Sequence, residues 1–175
     1  RSLVGSEMCI RDRRLVNVSD VDEAMRAQLR VWRNSDMVSP FFLLDQITEE
    51  QHSAWLEKNV RGENACACVI YADQVPLGLV YLPWFDRDSR QGEIGIYIYN
   101  RDFQELRPAS FAYEGMMDVA AKDLGLKRLC ARILEDNAKS VHFHERMGFK
   151  FSPEDTGECV KNGERKRVLM YVKDL

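Results

Sequence analysis

The stretch from residue 93 to residue 149 constrains the fold most, because strand-like and helix-like patterns alternate along it. Residues 93–99 and 127–135 are rich in apolar and β-branched side chains, which predicts two strands. Between them, Pro108 suits the first turn of a helix and Gly125 suits its end. Residues 137–147 predict a second, short helix. This order predicts a domain in which helices pack on a sheet.

The rest of the chain extends the same pattern with two helices and five strands. Ser19 offers an N-cap for the first helix. Thr48 and Gln51 form a capping box for the second helix, which is predicted to run to about residue 59. The full predicted order is β-α-α-β-β-β-α-β-α-β-β. The five further strands are predicted at 15–18, 65–72, 75–85, 149–151 and 167–172.

Length and composition favour one ordinary globular domain. The chain has 175 residues and a formal net charge of -3, which favours a single domain at 14–175 and argues against nucleic acid as a partner. Its apolar runs are too short to cross a membrane, so no membrane partner is expected. The five cysteines lack the spacing of metal ligands, and we expect them to be packing residues in a reducing cytoplasm.

Residues 1–13 differ in character from the predicted domain. They contain no apolar run followed by a small-residue cleavage site, so they are not typical of a signal peptide. The segment resembles translated adapter sequence from sequencing libraries, and a flexible native tail is the alternative. Neither interpretation gives it a catalytic role. We therefore exclude it from the predicted domain and expect it to be poorly packed.

Residues 134–149 form the most specific motif of the chain. They read Leu-Glu-Asp-Asn-Ala-Lys-Ser-Val-His-Phe-His-Glu-Arg-Met-Gly-Phe. This motif resembles the acyl-CoA half of the GNAT superfamily of N-acetyltransferases. The resemblance implies an α/β (α+β) GNAT fold, with a central mixed, mainly antiparallel, splayed sheet of about seven strands flanked by four helices. It also implies acetyl-CoA as co-substrate and no metal.

The turn before Pro108 bears on cofactor binding. Where the family has Gln/Arg-x-x-Gly-x-Gly/Ala, this chain reads Gln-Glu-Leu-Arg-Pro-Ala at 104–109, so Arg107 replaces the first glycine. Pro108 removes one backbone donor, but the Arg107 guanidinium can pair with a phosphate, and we expect acetyl-CoA binding to survive. The cofactor-binding residues that the resemblance implies are Tyr97, Ile98, Tyr99, Gln104, Arg107, Ala109, Ser110 and Asn137.

Two residues are candidates for proton transfer. An amine that attacks a thioester must lose a proton, and the leaving thiolate must gain one. The resemblance implies that His144 donates the proton to the thiolate. Glu93, at the start of its predicted strand, is the candidate base, acting directly or through water. The alternatives are a semi-buried structural histidine and a solvated carboxylate at a strand edge.

The front half of the chain bears on the acceptor. Trp32-Arg33-Asn34 and the segment around Trp55 resemble the amino-sugar N-acetyltransferases of the pseudaminic-acid pathway, which act on a UDP-linked 4-amino-4,6-dideoxy sugar. Arg33 can pair with a nucleotide diphosphate, and Phe41 or Trp55 can stack on uracil or sugar. The Trp-Arg-Asn element is also similar to ribosomal-protein acetyltransferases, and Trp32 alone is better explained as core. The expected substrate-binding residues are Trp32, Arg33, Asn34, Phe41 and Trp55.

Three functional hypotheses follow. The first is transfer of the acetyl group of acetyl-CoA to the 4-amino group of a UDP-linked amino-deoxy sugar, by direct attack of the amine. The second is the same chemistry on a protein N-terminus or an amino acid. The third is a non-catalytic acyl-CoA-binding module, which the change at Arg107 and Pro108 would explain. The expected partner is a small-molecule amine, and a homodimer through an exposed final strand is an open alternative.

Overall fold

The computed structural model describes residues 12–175 of the chain. The four α-helices of this part are α1 Glu23–Asn34, α2 Glu49–Arg61, α3 Pro108–Asp118 and α4 Ala138–Arg146. Its strands are β1 Arg13–Asn17, β2 Cys66–Ala72, β3 Val75–Leu82, β4 Phe85–Asp86, β5 Gln91–Glu93, β6 Gly95–Ile98, β7 Arg128–Leu134, β8 Lys150–Phe151, β9 Gly157–Lys161 and β10 Glu164–Asp174. None of the helices in residues 12–175 is long and apolar enough to span a membrane.

The strands form two sheets that separate where the chain passes from β5 to β6. The first sheet has the order β1-β2-β3-β6 and is antiparallel throughout. The second has the order β4-β5-β7-β10-β8, with β9 paired to β10, and its β5–β7 ladder is parallel. Ile94 lies at the division, and its N–H donates to the Cys130 carbonyl at 2.9 Å. This mixed, mainly antiparallel, splayed arrangement flanked by four helices confirms the predicted fold class.

Most predicted elements are present, with some shifted ends. The predicted capping box of α2 is confirmed, since the Thr48 Oγ1 accepts from the Gln51 N–H at 3.1 Å and the Gln51 Oε1 accepts from the Thr48 N–H at 2.8 Å. Helix α3 begins at Pro108 as predicted and continues into a π-helical turn at Val119–Asp123. The first strand begins at Arg13, which pairs with Ala72. Residues 1–11 of the predicted tail lie outside the described residues, so the structure describes only Asp12 and Arg13 of that tail.

The N-cap predicted for α1 is wrong. The cap is Asp22, whose Oδ1 accepts from the Met25 N–H at 2.8 Å, and the helix begins at Glu23. Ser19 instead pairs with the side chain of Asn17 through its N–H and its hydroxyl, both at 2.9 Å. Ser19 therefore belongs to the turn after β1, and an aspartate three residues later satisfies the first turn of the helix.

The sheet contains more strands than the seven predicted. The predicted strand 75–85 breaks at Pro83, which cannot donate to a ladder, so β4 is a separate short strand. The predicted strand 93–99 divides between the two sheets as β5 and β6. Strand β9 was missed altogether, and β10 is longer than the predicted 167–172. The turn between them is Asn162-Gly163 with φ of 52° and 78°, a strong hairpin signal that the sequence contains.

Two apolar clusters hold the layers together. The larger one surrounds Tyr113 and Met116 on α3 and includes Phe149 and Tyr171 from the second sheet. The smaller one lies under α1 and includes Leu29, Trp32, Val69, Leu79 and Tyr97. Residues of both clusters, among them Leu29, Tyr97 and Tyr113, also line the open space between the sheets.

Candidate active site

A cleft of about 1690 Å³ lies where the two sheets diverge. Pockets for a single small ligand are usually about 300–1,000 Å³, so this one has room for a cofactor and an acceptor together. One end lies against the first turns of α3 and α4. The other end is formed by the connection from α1 to α2, by α2 itself and by the outer part of β3. We call these the cofactor end and the acceptor end.

The altered turn keeps the backbone shape that a glycine would give it. Arg107 has φ 49° and ψ 56°, the left-handed conformation that glycine adopts without steric cost. Its carbonyl accepts from the Phe111 N–H at 3.1 Å, so it caps α3 with its backbone. The N–H groups of Ala109 and Ser110 belong to the first turn, where no carbonyl of the helix is available to them, and both residues line the cleft. Such a helix start is suited to a phosphate.

The cofactor end also carries positive charge. Gln104 and Arg107 line it as predicted. Further cationic side chains at this end, not predicted from the sequence, are those of Arg101, Lys139 and Arg146. Asn137 caps α4, since its Oδ1 accepts from the Ser140 N–H at 3.3 Å, and it too lines the cleft. Two helix starts and several cations thus meet at one end, which favours a polyanionic ligand.

Tyr97, Ile98 and Tyr99 are the residues whose backbones were predicted to align with the cofactor. Only Ile98 directs its N–H and C=O groups to the edge of β6 that faces the cleft. The Tyr99 N–H donates to the Leu77 carbonyl of β3 at 2.8 Å. Since alternate residues of a strand direct their N–H and C=O groups to the same edge, Tyr97 also faces β3. Ile98 and Ile96 face the cleft, where β6 has no further ladder in the described sheets. The prediction is therefore wrong for the backbones of Tyr97 and Tyr99, and it missed Ile96.

His144 is buried, with 4 % of its surface exposed, and both ring nitrogens have partners. Nδ1 lies 2.7 Å from the Ser140 carbonyl oxygen, which only accepts, so Nδ1 carries the proton. Nε2 then accepts from the Tyr113 hydroxyl at 2.5 Å. Burial lowers the pKa of His144, which keeps the ring neutral near pH 7. In this state the ring has no proton directed at the cleft, which conflicts with the expected role of His144 as a direct donor.

Tyr113 is the partner that sequence reasoning missed. It lies on α3, 31 residues before His144, and burial raises its pKa well above the ordinary value. Within the helical pattern of α3 it has the same spacing as core residues, so no local signal distinguishes it. Its hydroxyl proton is the one shared between the two rings, and both residues line the cleft.

Glu93 lies at the end of β5, beside the point where the sheets part. Its side chain is 12 % exposed and lines the cleft. The Trp84 Nε1–H donates to Oε1 at 3.0 Å, and the Arg132 Nε–H lies 3.1 and 3.2 Å from the two oxygens. These contacts fix the carboxylate in one orientation. A carboxylate has about four acceptor positions, so Glu93 keeps the capacity to accept a proton from an amine or a water.

Three of the predicted substrate-binding residues have structural contacts instead. The Arg33 guanidinium donates to the carbonyls of Leu44 and Asp45 at 2.8 and 2.9 Å and lies over the Phe42 ring, and burial lowers its pKa. Asn34 pairs with both backbone groups of Ile47, at 2.8 and 2.9 Å. Trp32 is buried and stacks on Tyr99. Arg33 also lines the cleft, but two of its five N–H donors are committed to loop carbonyls, which limits its pairing with a diphosphate.

Phe41 and Trp55, the other two predicted substrate-binding residues, line the acceptor end. Phe41 is 48 % exposed, and Trp55 of α2 stacks against the buried His52 with ring centroids 5.7 Å apart. The remaining lining residues at this end are largely apolar, and none of those in the described chain is an aspartate or glutamate. Glu93 lies between the two ends. The acceptor end is therefore an apolar and aromatic surface with a single carboxylate at its inner limit.

A splayed sheet with a phosphate-suited helix start, beside a cleft with room for two ligands, is the arrangement expected of an acyl-CoA-dependent transferase. The chain belongs to the GNAT acetyltransferases, because the family model described as "Acetyltransferase (GNAT) domain" matches residues 13–150. It is an acyl-CoA-dependent N-acetyltransferase with acetyl-CoA as co-substrate. The described residues contain no group of three His, Cys, Asp or Glu side chains that could hold a metal ion.

Solved structures show the same fold at low sequence identity. The Campylobacter jejuni N-acetyltransferase PseH in complex with acetyl coenzyme A is 15% identical, with a TM-score of 0.67 over 93% of this chain and 99% of that chain. The spermidine N-acetyltransferase of Vibrio cholerae, in complex with CoA and spermine, is 16% identical, with a TM-score of 0.77 over 94% and 95%. The ribosomal L7/L12 alpha-N-protein acetyltransferase RimL, in complex with coenzyme A, is 17% identical, with a TM-score of 0.74 over 93% and 94%. No curated protein sequence matches the chain significantly.

Proposed function

We propose that the acceptor is the primary amine of an amino-deoxy sugar, with the 4-amino group of a UDP-linked 4-amino-4,6-dideoxy sugar as the leading candidate. The observation that carries this proposal is the apolar and aromatic acceptor end, with Phe41 and Trp55 exposed to the cleft. A deoxy sugar presents C–H faces and a methyl group, which pack well on aromatic rings. The fold shared with PseH is consistent with this class of acceptor.

The proposed reaction uses the residues between the two ends. The amine nitrogen attacks the thioester carbonyl carbon, the new C–N bond forms, and the C–S bond breaks. Glu93 takes the proton that the amine loses, directly or through a water. The thiolate takes the hydroxyl proton of Tyr113, which His144 Nε2 orients, and the resulting tyrosinate regains a proton from water once the thiol has left. His144 thus keeps a proposed catalytic role, together with Tyr113 and not alone.

The nucleotide part of the acceptor needs an anchor besides Arg33. Two of the five Arg33 N–H donors are held by the carbonyls of Leu44 and Asp45, so fewer remain for a diphosphate. Stacking of uracil on Phe41 or Trp55 remains the proposed contact. A comparison of the free sugar amine with its UDP-linked form therefore measures how much the nucleotide contributes to binding.

A protein N-terminus is the second candidate, on the fold shared with the ribosomal alpha-N-protein acetyltransferase. The acceptor end is open and apolar enough for a peptide. A polyamine is disfavoured, because its second ammonium would meet no carboxylate at the acceptor end. We also propose a cytoplasmic location, since Cys66, Cys68, Cys130 and Cys159 are free thiols. A homodimer remains a proposal.

The test is release of free CoA thiol from acetyl-CoA with a panel of amines. The panel contains UDP-linked 4-amino-4,6-dideoxy sugars, the same sugars without UDP, an N-terminal peptide and spermidine. We expect the highest kcat/KM for the UDP-linked sugar, with the acetylated product verified by mass. A Glu93→Gln variant should lower kcat and leave acetyl-CoA affinity unchanged. Preference for the peptide or spermidine by tenfold or so would overturn the proposal, given that this ratio corresponds to about 1.4 kcal/mol.

A further inference from the structure

The connection between α1 and α2 forms the wall of the acceptor end and exposes apolar side chains there. We call residues 36–47 the acceptor loop. Met37, Phe41 and Leu44 are 41%, 48% and 63% exposed, and all three line the cleft. Exposed apolar side chains that face a cleft usually contact a ligand. The position of this loop therefore determines which surface an acceptor meets.

The loop contains only one short 3-10 turn, and its shape depends on side chains from elsewhere. From α1, Arg33 holds the carbonyls of Leu44 and Asp45. The Ser39 hydroxyl also donates to the Asp45 carbonyl. The turn itself, Ser39–Phe41, has no side-chain cap. A loop of this kind needs fixed partners to keep one conformation.

Lys161 is a partner that comes from the second sheet. It is the last residue of β9, in the hairpin that follows the acyl-CoA motif, and 4 % of its surface is exposed. Its ammonium donates to the Phe42 carbonyl at 2.6 Å and to the Ser39 carbonyl at 3.1 Å. It also lies 2.8 Å from the Asp45 Oδ1. All three hydrogens of the ammonium thus have acceptors in the acceptor loop.

Burial of the Lys161 ammonium costs free energy, because the charge is taken out of water. Replacement of this side chain alone by an apolar one would leave the Ser39 and Phe42 carbonyls and the Asp45 carboxylate without their common partner. The ammonium fixes the geometry of the loop, since it holds two carbonyls and one carboxylate around a single point. Ser39 and Phe42 flank Phe41, so the contact fixes the segment that carries that ring.

We propose that Lys161 is a positioning residue that sets acceptor affinity by fixing the acceptor loop from the β9–β10 hairpin. The inference rests on the acceptor lying at this end of the cleft, and it holds for whichever amine the enzyme takes. Without the ammonium, the Ser39 and Phe42 carbonyls lose their common partner and Asp45 turns to water. The loop then samples other conformations, and Phe41 and Leu44 no longer form one surface.

The test compares Lys161→Met, which keeps chain length and removes the charge, with Arg165→Met on the same hairpin. Arg165 is a matched control, since its side chain is 83% exposed and its ion pair with Glu158 is 3.9 Å long. The readouts are the KM and kcat for the best amine of the panel, the acetyl-CoA Kd by calorimetry, and hydrogen exchange of the loop amides. Asp45→Asn is a second variant at a half-exposed position, which tests the same contact if Lys161→Met does not fold.

For Lys161→Met we expect faster exchange at the Phe41 and Phe42 amides and a rise in amine KM of about tenfold or more, because small misplacements of binding groups are costly. The acetyl-CoA Kd should stay within about twofold of the parent value, as for an independent site. Asp45→Asn should shift the same readouts less, and Arg165→Met should shift none. Unchanged loop exchange, or an acetyl-CoA Kd that rises in step with the amine KM, refutes the proposal. Hydrogen exchange decides the matter even if no amine of the panel is acetylated.

Discussion

Replacement of Arg107 by glycine separates two contributions to the cofactor end, the shape of the turn and the charge of the side chain. Arg107 sits at φ 49° and ψ 56°, where an L-residue costs about 1–2 kcal/mol relative to its usual conformations. Glycine avoids that cost but loses about 0.5–1 kcal/mol through its greater freedom in the unfolded chain. The net effect of Arg107→Gly on stability lies between about zero and a gain of about 1.5 kcal/mol. In a chain of this size that is a rise in Tm of at most about 6 °C.

Acetyl-CoA binding should change in the opposite direction. The Arg107 side chain is exposed, so its pairing with a phosphate is screened, and we take its contribution as about 1–1.5 kcal/mol. Loss of that pairing raises the acetyl-CoA Kd by about fivefold to tenfold. Arg107→Ala should raise the Kd to the same extent but leave Tm unchanged, because alanine keeps both the strained turn and the backbone cap.

The assay is calorimetric titration of acetyl-CoA into the parent protein and both variants, with thermal melts of the free proteins. A matched control is Arg165→Met, which removes an exposed arginine far from the cleft. The reasoning is refuted if Arg107→Gly binds acetyl-CoA as tightly as the parent or more tightly. That result would mean that backbone access to the phosphate, and not the guanidinium, determines affinity at this turn.

Two further predictions concern the strand and the helix that form the cleft. Gly78→Ala should lower the free energy of unfolding by about 1–3 kcal/mol in a urea titration, because a Cβ there would collide with the Tyr97 backbone carbonyl. Gly157→Ala is the control, since Gly157 has open space around it, and it should leave the free energy of unfolding unchanged. Stability should also fall as pH is lowered through the ordinary histidine pKa of 6.5, since burial lowers the pKa of His144 and the unfolded chain then binds a proton that the folded one does not. A His144→Gln variant should show a shallower fall in urea unfolding below that pH, and an identical slope would contradict the role of burial.

The sequence predicts the fold well wherever local chemistry decides the structure. The capping box at Thr48 satisfies donors that any helix start leaves free, and Pro108 at the start of α3 lacks one such donor. The strand boundaries were harder to predict. Whether residues 93–99 form one strand or two depends on the neighbours of each half, which are β4 and β7 for one and β3 for the other. That choice is made by tertiary pairing and has no local signal.

The site was predictable in part for the same reason. Residues of the turn before α3, such as Arg107 and Ser110, line the cleft, and their contacts with the cofactor stay a prediction. Residues that act through a partner distant in sequence were missed or misassigned. The state of His144 depends on Tyr113 in another helix. The alignment of the β6 backbone depends on which of its edges pairs with β3.

The segment Trp32-Arg33-Asn34 was predicted to bind the acceptor, and it lies next to the acceptor loop. Its three side chains have three structural contacts: Trp32 packs in the core, Arg33 holds the carbonyls of Leu44 and Asp45, and Asn34 pairs with the backbone of Ile47. Arg33 and Asn34 thus hold the carboxyl-terminal end of the acceptor loop. An element of this kind suits enzymes with different acceptors, because it specifies where the loop lies and leaves the loop's own side chains free to differ. Substrate preference should therefore follow positions such as Phe41 and Leu44, which the loop exposes to the cleft, more closely than it follows the motif that holds the loop in place.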